Sequence, residues 1–182
     1  MSTARIDPLA APFDSSVAAT FAKFLPPGME PLKLFRTQAH NPRVLQRMFS
    51  GNLLDSGAIS QRARELIILR ICFRCGSEYE WGVHVALFSK NAALGSADVA
   101  ATVERDIDQS ALREEDVVLL KAADELHDTP TISEQLWTVL ARHYSPCQLI
   151  EIIALVGNYH AVSFMTNAAG VEQETFAPRF PR

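Results

Sequence analysis

The 182-residue sequence lacks the long apolar stretches that mark membrane and secreted proteins. No run approaches the roughly 18 consecutive apolar residues that a membrane span needs. The N-terminal residues show no apolar segment followed by a small-residue cleavage site, which is the pattern of a secretory signal. These absences predict a cytoplasmic protein with no membrane partner.

Excess positive charge and an even number of cysteines are also missing. The formal net charge is −4, and an acidic surface gains nothing from meeting nucleic acid or an anionic membrane. Three cysteines are present, an odd number in a chain without a secretory signal, so a structural disulfide framework is disfavoured. We therefore expect a reduced protein whose partners are not nucleic acids.

No stretch alternates apolar and polar residues between turn signals, so the sequence predicts no strand. Apolar residues recur instead at helical spacing in nine segments that are separated by proline, glycine and capping residues. The predicted fold class is all-α. Residues 1–13 lack this periodicity and are predicted to be an N-terminal arm, while residues 14–182 have the length of a single domain.

The stretch from residue 65 to residue 84 carries the chemistry. It begins as an apolar helix, breaks at Gly76, and restarts as a helix with acidic, aromatic and imidazole groups in its first turns. Glu80 and His84 are four residues apart and hence neighbours on one helix face. A carboxylate beside an imidazole orients the ring and raises its pKa, which makes an acid–base pair. Glu65 is the third candidate catalytic residue.

Each carboxylate also has an interpretation without catalysis. Ser77 and Glu80 have the spacing of a capping box at the start of the second helix. Glu65 either pairs with a neighbouring arginine, Arg62 or Arg64, or turns toward a pocket with a raised pKa. Both alternatives remain open from the residues alone.

Cys72 and Cys75 form a Cys-x-x-Cys pair, which in a cytosolic protein can indicate a redox dithiol. Both fall in the last turn of a predicted helix, where the helix dipole disfavours a thiolate. The sequence therefore favours packing, with a thiol peroxidase as the alternative. A further alternative is a metal-binding or non-catalytic oligomer, with a metal held by the three candidates together with His127 or His160. The preferred prediction has no metal and no cofactor.

The intervals from Glu65 to Ser77, Glu80 and His84 resemble the carboxymuconolactone decarboxylase and alkylhydroperoxidase D family, over roughly residues 35–175. The alkylhydroperoxidase branch has cysteines where this chain has Ser77 and Glu80, and Cys72 lies five residues too early to match. The segment from residue 78 to residue 84, Glu-Tyr-Glu-Trp-x-x-His, resembles a subgroup without the two cysteines.

This resemblance implies a compact helical fold that assembles into homo-oligomers (dimers, trimers or hexamers) with a pocket close to a subunit interface. It also implies proton-transfer chemistry on a small carboxylated or lactone-type substrate. In that chemistry His84 protonates a carbanion or enolate as CO2 leaves, and Glu65 and Glu80 orient it or relay protons. Two carboxylates repel an anionic substrate, so at least one of them must be protonated or paired. For an arginine clamp that would hold the substrate, Arg70 and Arg74 are the only candidates. The candidate supporting residues are Ser77, Tyr79, Trp81, Tyr159 and His160.

Overall fold

The computed structural model describes residues 4–110 and 112–181, and this part of the chain contains nine α-helices, one short 3-10 helix and no strand. The all-α class is confirmed. The α-helices are α1 (Ser15–Phe24), α2 (Lys33–Gln38), α3 (Pro42–Ser50), α4 (Gln61–Arg74), α5 (Glu78–Phe88), α6 (Ser96–Ala101), α7 (Glu114–Asp128), α8 (Glu134–His143) and α9 (Pro146–Ala169). The 3-10 helix, Ile107–Gln109, precedes α7.

The predicted arm, residues 1–13, is described from residue 4 onward; residues 1–3 lie outside the described part. Its described residues form no helix and lie along the surface of the domain. The backbone amides of Arg5 and Ile6 donate to the carbonyl of Ala169 at the end of α9. The amide of Leu9 donates to the carbonyl of Arg36 in α2.

Helix α4 is the centre of the fold, and α5, α7 and α9 pack around it. All ten residues from Ala63 to Cys72 are buried, as expected for a helix that is apolar on almost every side. Arg70 is buried, but each of its three guanidinium nitrogens has a partner: it donates to both carboxylate oxygens of Asp124 at 2.7 Å and to the carbonyls of Thr102 and Glu104. These bonds offset the cost of burying the charge.

The junction between α4 and α5 has the hydrogen bonds of a Schellman motif. Gly76 has φ of 65°, a left-handed conformation that glycine adopts without steric cost. The amide of Ser77 donates to the carbonyl of Cys72, and that of Gly76 to the carbonyl of Phe73. The chain thus turns sharply and lays α5 back against α4.

The predicted capping box of Ser77 and Glu80 is wrong. Ser77 does occupy the N-cap position, but its side chain makes no capping bond. Its hydroxyl lies 2.7 Å from the hydroxyl of Thr166 in α9, and that hydroxyl donates in turn to the carbonyl of Ser163. Glu80 is therefore free to face His84.

Helix α9 begins with a capping box: Ser145 and Gln148 exchange both of its hydrogen bonds around Pro146. It ends at Gly170, whose φ is 64°. By length and composition α9 could cross a membrane, but a core helix of a globular protein passes the same test, and 44% of its most apolar window is buried. One face, with Tyr159 at its centre, packs into the core.

The first three helices form a second, smaller apolar cluster beside the main core. Buried residues from α1 to α3, including Phe21 and Phe49, make up this cluster. The rings of Phe24 and Phe49 stack at a centroid distance of 5.1 Å, and Phe35 packs against Phe49 at 4.6 Å. This cluster faces the side of α5 that carries Glu80 and His84.

Candidate active site

Three helices bring four polar side chains together in the interior. Glu65 comes from α4, Glu80 and His84 from α5, and Tyr159 from α9. All four are buried, with exposures of 1% for Glu65 and 2% for His84. The group is therefore a buried polar network, the kind of arrangement in which each bond is strengthened by low local polarity.

Glu65 joins His84 to an arginine. Its Oε2 atom lies 2.7 Å from Nδ1 of His84, and its Oε1 atom accepts a hydrogen bond of 3.1 Å from Nε of Arg64. Arg64 is held in turn by the carbonyls of Leu54 and Asp55. The two interpretations of Glu65 thus hold together, since it pairs with an arginine and also contacts the imidazole.

The opposite edge of the imidazole faces two further groups. The hydroxyl of Tyr159 lies 3.1 Å from Nε2 of His84, and Oε1 of Glu80 lies 3.4 Å from the same nitrogen. The Tyr159 ring meets the imidazole edge to face, and the Phe88 ring lies 4.8 Å from it. Both ring nitrogens therefore have a defined partner.

These contacts set the charge of the network. Burial lowers the pKa of His84, but hydrogen bonds and charge attraction from Glu65 and Glu80 outweigh it and raise that pKa to about 9. His84 is therefore an imidazolium at neutral pH. Burial, followed by the two carboxylate charges, raises the pKa of Tyr159 well above its usual value, so its phenol stays neutral.

Glu80 and His84 open onto a cavity of about 210 Å³ between α5 and the cluster of the first three helices. No lysine or arginine occurs among the described residues that line it. Apart from Asn52, Glu80 and His84, its wall is apolar: Phe24, Leu25, Met29, Leu32, Phe35, Phe49, Leu54, Val83, Leu87 and Phe88. A larger open groove of about 510 Å³ lies at the N-terminal end of α5, and none of the three candidate catalytic residues lines it.

The arginine clamp suggested by the sequence is wrong. Arg70 and Arg74 both pair with Asp124, and Arg74 also pairs with Asp128. Arg62 is engaged by Asp98 and Asp116. The cation at the cavity is instead the imidazolium of His84.

A metal held by Glu65, Glu80 and His84 does not fit this geometry. The two carboxylates lie at opposite edges of the imidazole, so they cannot meet at one ring nitrogen. The expected additional ligands, His127 and His160, lie 3.0 Å from each other and bond with neither carboxylate.

Four of the supporting candidates do not join this network. Ser77 bonds to Thr166, as described above. The hydroxyl of Tyr79 accepts from the amide of Leu34 and donates to Glu174, while the indole of Trp81 donates to the hydroxyl of Thr102. These bonds fix α5 to its neighbours. His160 contacts His127. Of the five supporting candidates, only Tyr159 contacts His84.

The cysteines also lie away from the cavity. Cys72 is fully buried, and burial raises its pKa well above the usual thiol value. Cys75 is half-buried in the last turn of α4, and burial raises its pKa as well. Neither position favours the thiolate that a peroxide-reducing cysteine needs.

The apolar wall of the cavity was missed in the sequence. Phe24, Phe35 and Phe49 occur at helical spacing, which is typical of core residues, and they do form a core cluster. They line a cavity because α5 lies beside that cluster. No local pattern of residues marks such a cavity.

The whole chain is similar to solved structures. No protein-family model matches it, and no curated protein matches it. An alkylhydroperoxidase AhpD core, described as an uncharacterized peroxidase-related protein from Ralstonia eutropha JMP134, superposes with a TM-score of 0.79 at 14% identity over 93% of each chain. An uncharacterized peroxidase-related protein from Silicibacter sp. TM1040 superposes with a TM-score of 0.78 at 18% identity over 100% of each chain. The chain therefore has the AhpD-like helical fold.

Proposed function

We propose that this protein is a cofactor-free acid–base enzyme that transfers a proton between His84 and a carbon atom of a small carboxylated or lactone-type substrate. One observation carries the proposal. A buried imidazolium is held between two carboxylates, and it lies at the wall of an apolar cavity. The arrangement supplies a proton donor and a binding space in one place.

The two edges of the imidazole have different roles in this proposal. Nδ1 is committed to Glu65, which fixes the ring and stabilises its charge. Nε2 is the proton donor, beside Glu80 and Tyr159. When a carbanion or enolate forms in the cavity, the Nε2 proton moves to carbon and the imidazole becomes neutral. Glu80, which also lines the cavity, then passes a proton from solvent to Nε2 and restores the imidazolium.

The cavity limits the substrate. Its 210 Å³ is below the ~300–1,000 Å³ of sites for drug-sized ligands, which indicates a small molecule. A lactone ring fits the apolar wall. A substrate carboxylate against that wall loses its hydration, and its departure as neutral CO2 relieves this cost. The wall thus favours the decarboxylation that the proton from His84 completes.

Peroxide reduction by thiols is the alternative that the names of the similar structures suggest. It requires Cys72 or Cys75 to act as the nucleophile. Cys72 is inaccessible, and both cysteines lie at the C-terminal end of α4, where the dipole opposes a thiolate. The contacts of His84 support proton transfer without a thiol.

The test compares variants on two substrate panels: small carboxylated lactones, followed by CO2 release and deuterium incorporation from D2O, and organic hydroperoxides. We expect lactone turnover, reduced at least about 100-fold in His84→Gln because a general acid contributes roughly that much. Cys75→Ser and the control His143→Gln, an exposed histidine, should keep full activity. Hydroperoxide consumption that is lost in Cys75→Ser and kept in His84→Gln would refute the proposal.

We also propose that a second copy of the chain packs against the outer face of α9. Ile150 and Phe164 are 70% and 64% exposed, and Ile153 is exposed beside them. At about 100° per residue, these three positions fall within about 60° of one another around the helix. Such a contiguous apolar surface is typical of a subunit interface.

Light scattering of the purified protein tests this interface. We expect an oligomer in the wild type and a monomer in Phe164→Glu, because the charge would be buried at the interface. Ala18→Glu, on the exposed face of α1, is the matched control and should remain oligomeric. An unchanged mass for Phe164→Glu and for Ile150→Glu would place the interface elsewhere.

A further inference from the structure

We propose that Cys75, His127 and His160 form a binding site for a transition-metal ion of the zinc type. Their ligand atoms, one from each side chain, all lie within 4.8 Å of one another. Among the described residues this is the one group of three or more cysteine, histidine or acidic side chains with that geometry. The site is separate from the proton-transfer network of His84.

The spacing of the ligand atoms fits a tetrahedral ion. Sγ of Cys75 lies 3.7 Å from Nδ1 of His127, and that nitrogen lies 3.0 Å from Nε2 of His160. Zinc bonds of about 2.3 Å to sulfur and about 2.1 Å to nitrogen imply sulfur–nitrogen and nitrogen–nitrogen separations of about 3.6 Å and about 3.4 Å. These two distances need shifts of only a few tenths of an ångström, and the ligand atoms of the third pair, Cys75 and His160, lie within 4.8 Å of each other.

The tautomer of His160 is already the one that a metal requires. Its Nδ1 lies 2.9 Å from the carbonyl oxygen of Val156, an acceptor that only an N–H can satisfy. The lone pair is therefore on Nε2, the atom that faces His127. A metal-bound histidine commonly donates the N–H of its other ring nitrogen to a backbone carbonyl, and this bond fixes the orientation of the ring.

Metal binding then requires two proton movements. In the metal-free state Nδ1–H of His127 donates to Nε2 of His160. When the ion binds, the His127 proton moves from Nδ1 to Nε2 of the same ring, and the thiol proton of Cys75 leaves to solvent. The ion thereby gains one thiolate and two neutral imidazoles, a ligand set suited to zinc.

The three ligands come from three rigid elements. Cys75 closes α4, His127 lies in the last turn of α7, and His160 lies in the middle of α9. The amide of Asn167 holds the carbonyl of Cys75 at 2.8 Å. Metal ligation would therefore join α4, α7 and α9.

The surrounding charges permit a cation. Arg74, the nearest guanidinium, is paired with Asp124 at 2.8 Å and with Asp128 at 2.6 Å. Its charge is thus offset by two carboxylates. Cys75, His127 and His160 are each partly exposed, which gives an ion a path from solvent and leaves a coordination position for water.

The alternative is a hydrogen-bonded cluster of two neutral histidines and a thiol, with no affinity for metal. The two interpretations differ in one measurable property. A metal site loses its affinity when any of the three ligands is replaced, whereas a hydrogen-bonded cluster has no affinity to lose.

The experiment uses the full chain without a histidine tag, treated with a chelator and then titrated with Zn²⁺ by calorimetry and with Co²⁺ by absorbance. We expect one Zn²⁺ per chain and a sulfur-to-cobalt charge-transfer band. Affinity should fall at least about 100-fold in Cys75→Ser, His127→Gln and His160→Gln, since even second-partner changes cost 10–100-fold. The band should disappear in Cys75→Ser.

Three control variants separate this site from the rest of the protein: Cys147→Ser, an exposed thiol, His143→Gln, an exposed imidazole, and His84→Gln at the proposed active site. All three should bind Zn²⁺ as the wild type does. Zn²⁺ should also raise the unfolding temperature of the wild type, and not that of His160→Gln. Wild-type binding no tighter than that of His160→Gln, or a cobalt band that survives in Cys75→Ser, would overturn the proposal.

Discussion

Replacing Glu65 with glutamine tests how the charge of His84 is maintained. Glutamine keeps an oxygen that can accept the Nδ1–H bond but removes the negative charge 2.7 Å from the ring. The pKa of His84 is raised from 6.5 to about 9 by this carboxylate and by Glu80, against the effect of burial. One pKa unit corresponds to 1.36 kcal/mol, so the total shift is worth about 3 kcal/mol.

The sign of the pH effect follows from the direction of the shift. A folded-state pKa above the unfolded value adds stability that is fully present below about pH 6.5 and is lost as the pH rises through about 9. The free energy of unfolding of the wild type should therefore fall by about 3 kcal/mol across that window. Burial lowers the pKa of His127. The titration of His127 therefore changes the free energy of unfolding only below about pH 6.5, which is outside this window.

In Glu65→Gln we expect this pH-dependent loss to shrink by at least about 1.4 kcal/mol, one pKa unit. Glu80→Gln should have a smaller effect, because its oxygen is 3.4 Å from Nε2. Urea unfolding at several pH values measures both changes. Glu65→Gln also leaves Arg64 without its carboxylate partner, but that cost is constant over the window because arginine stays charged.

Glu78→Gln is the matched control, since its carboxylate pairs with Arg179 at the surface. Its pH profile should match that of the wild type. An unchanged profile in Glu65→Gln, or a larger change in Glu80→Gln, would refute the account of how Glu65 holds His84.

Three further substitutions test the surroundings of the site. Tyr159→Phe keeps the buried ring but removes the hydroxyl from Nε2 of His84, so steady-state assays should show turnover reduced about tenfold, or 1.4 kcal/mol of barrier; unchanged turnover would exclude the hydroxyl from the reaction. Gly82→Ala places a methyl group against the carbonyl of Pro178, so it should cost about 1–3 kcal/mol of stability and make the C-terminal segment sensitive to limited proteolysis; wild-type resistance would contradict this packing. Arg70→Met leaves the buried end of Asp124 without its bidentate partner, and urea unfolding should show a loss of about 3 kcal/mol; a loss below about 0.5 kcal/mol would mean that the ion pair adds no stability.

The helices could be predicted because their signals are local. The Ser145 capping box and the apolar period of α9 lie within a few residues of one another, and both appear in the structure. The approach of Glu80 to His84 likewise follows from four-residue spacing on one helix. For these features, the residues that contact each other are also close together in the sequence.

Features that depend on distant residues could not be predicted in this way. Ser77 failed as a capping residue because Thr166, 89 positions later, competes for its hydroxyl. The cluster of Cys75, His127 and His160 joins three helices whose arrangement no local pattern specifies. The expected contact between Glu65 and His84 came from family spacing, and their bond across the Gly76 turn is a tertiary feature.

The protonation state of His84 tests the central claim most directly. The chain has five histidines, so nitrogen-15 NMR of the imidazoles can be assigned by comparison with His84→Gln. We predict that His84 carries protons on both ring nitrogens at pH 7.5, titrates near pH 9, and shifts when a small lactone fills the apolar cavity. A neutral His84 ring at pH 7.5, unaffected by any lactone that binds, would contradict the proposed proton-transfer site.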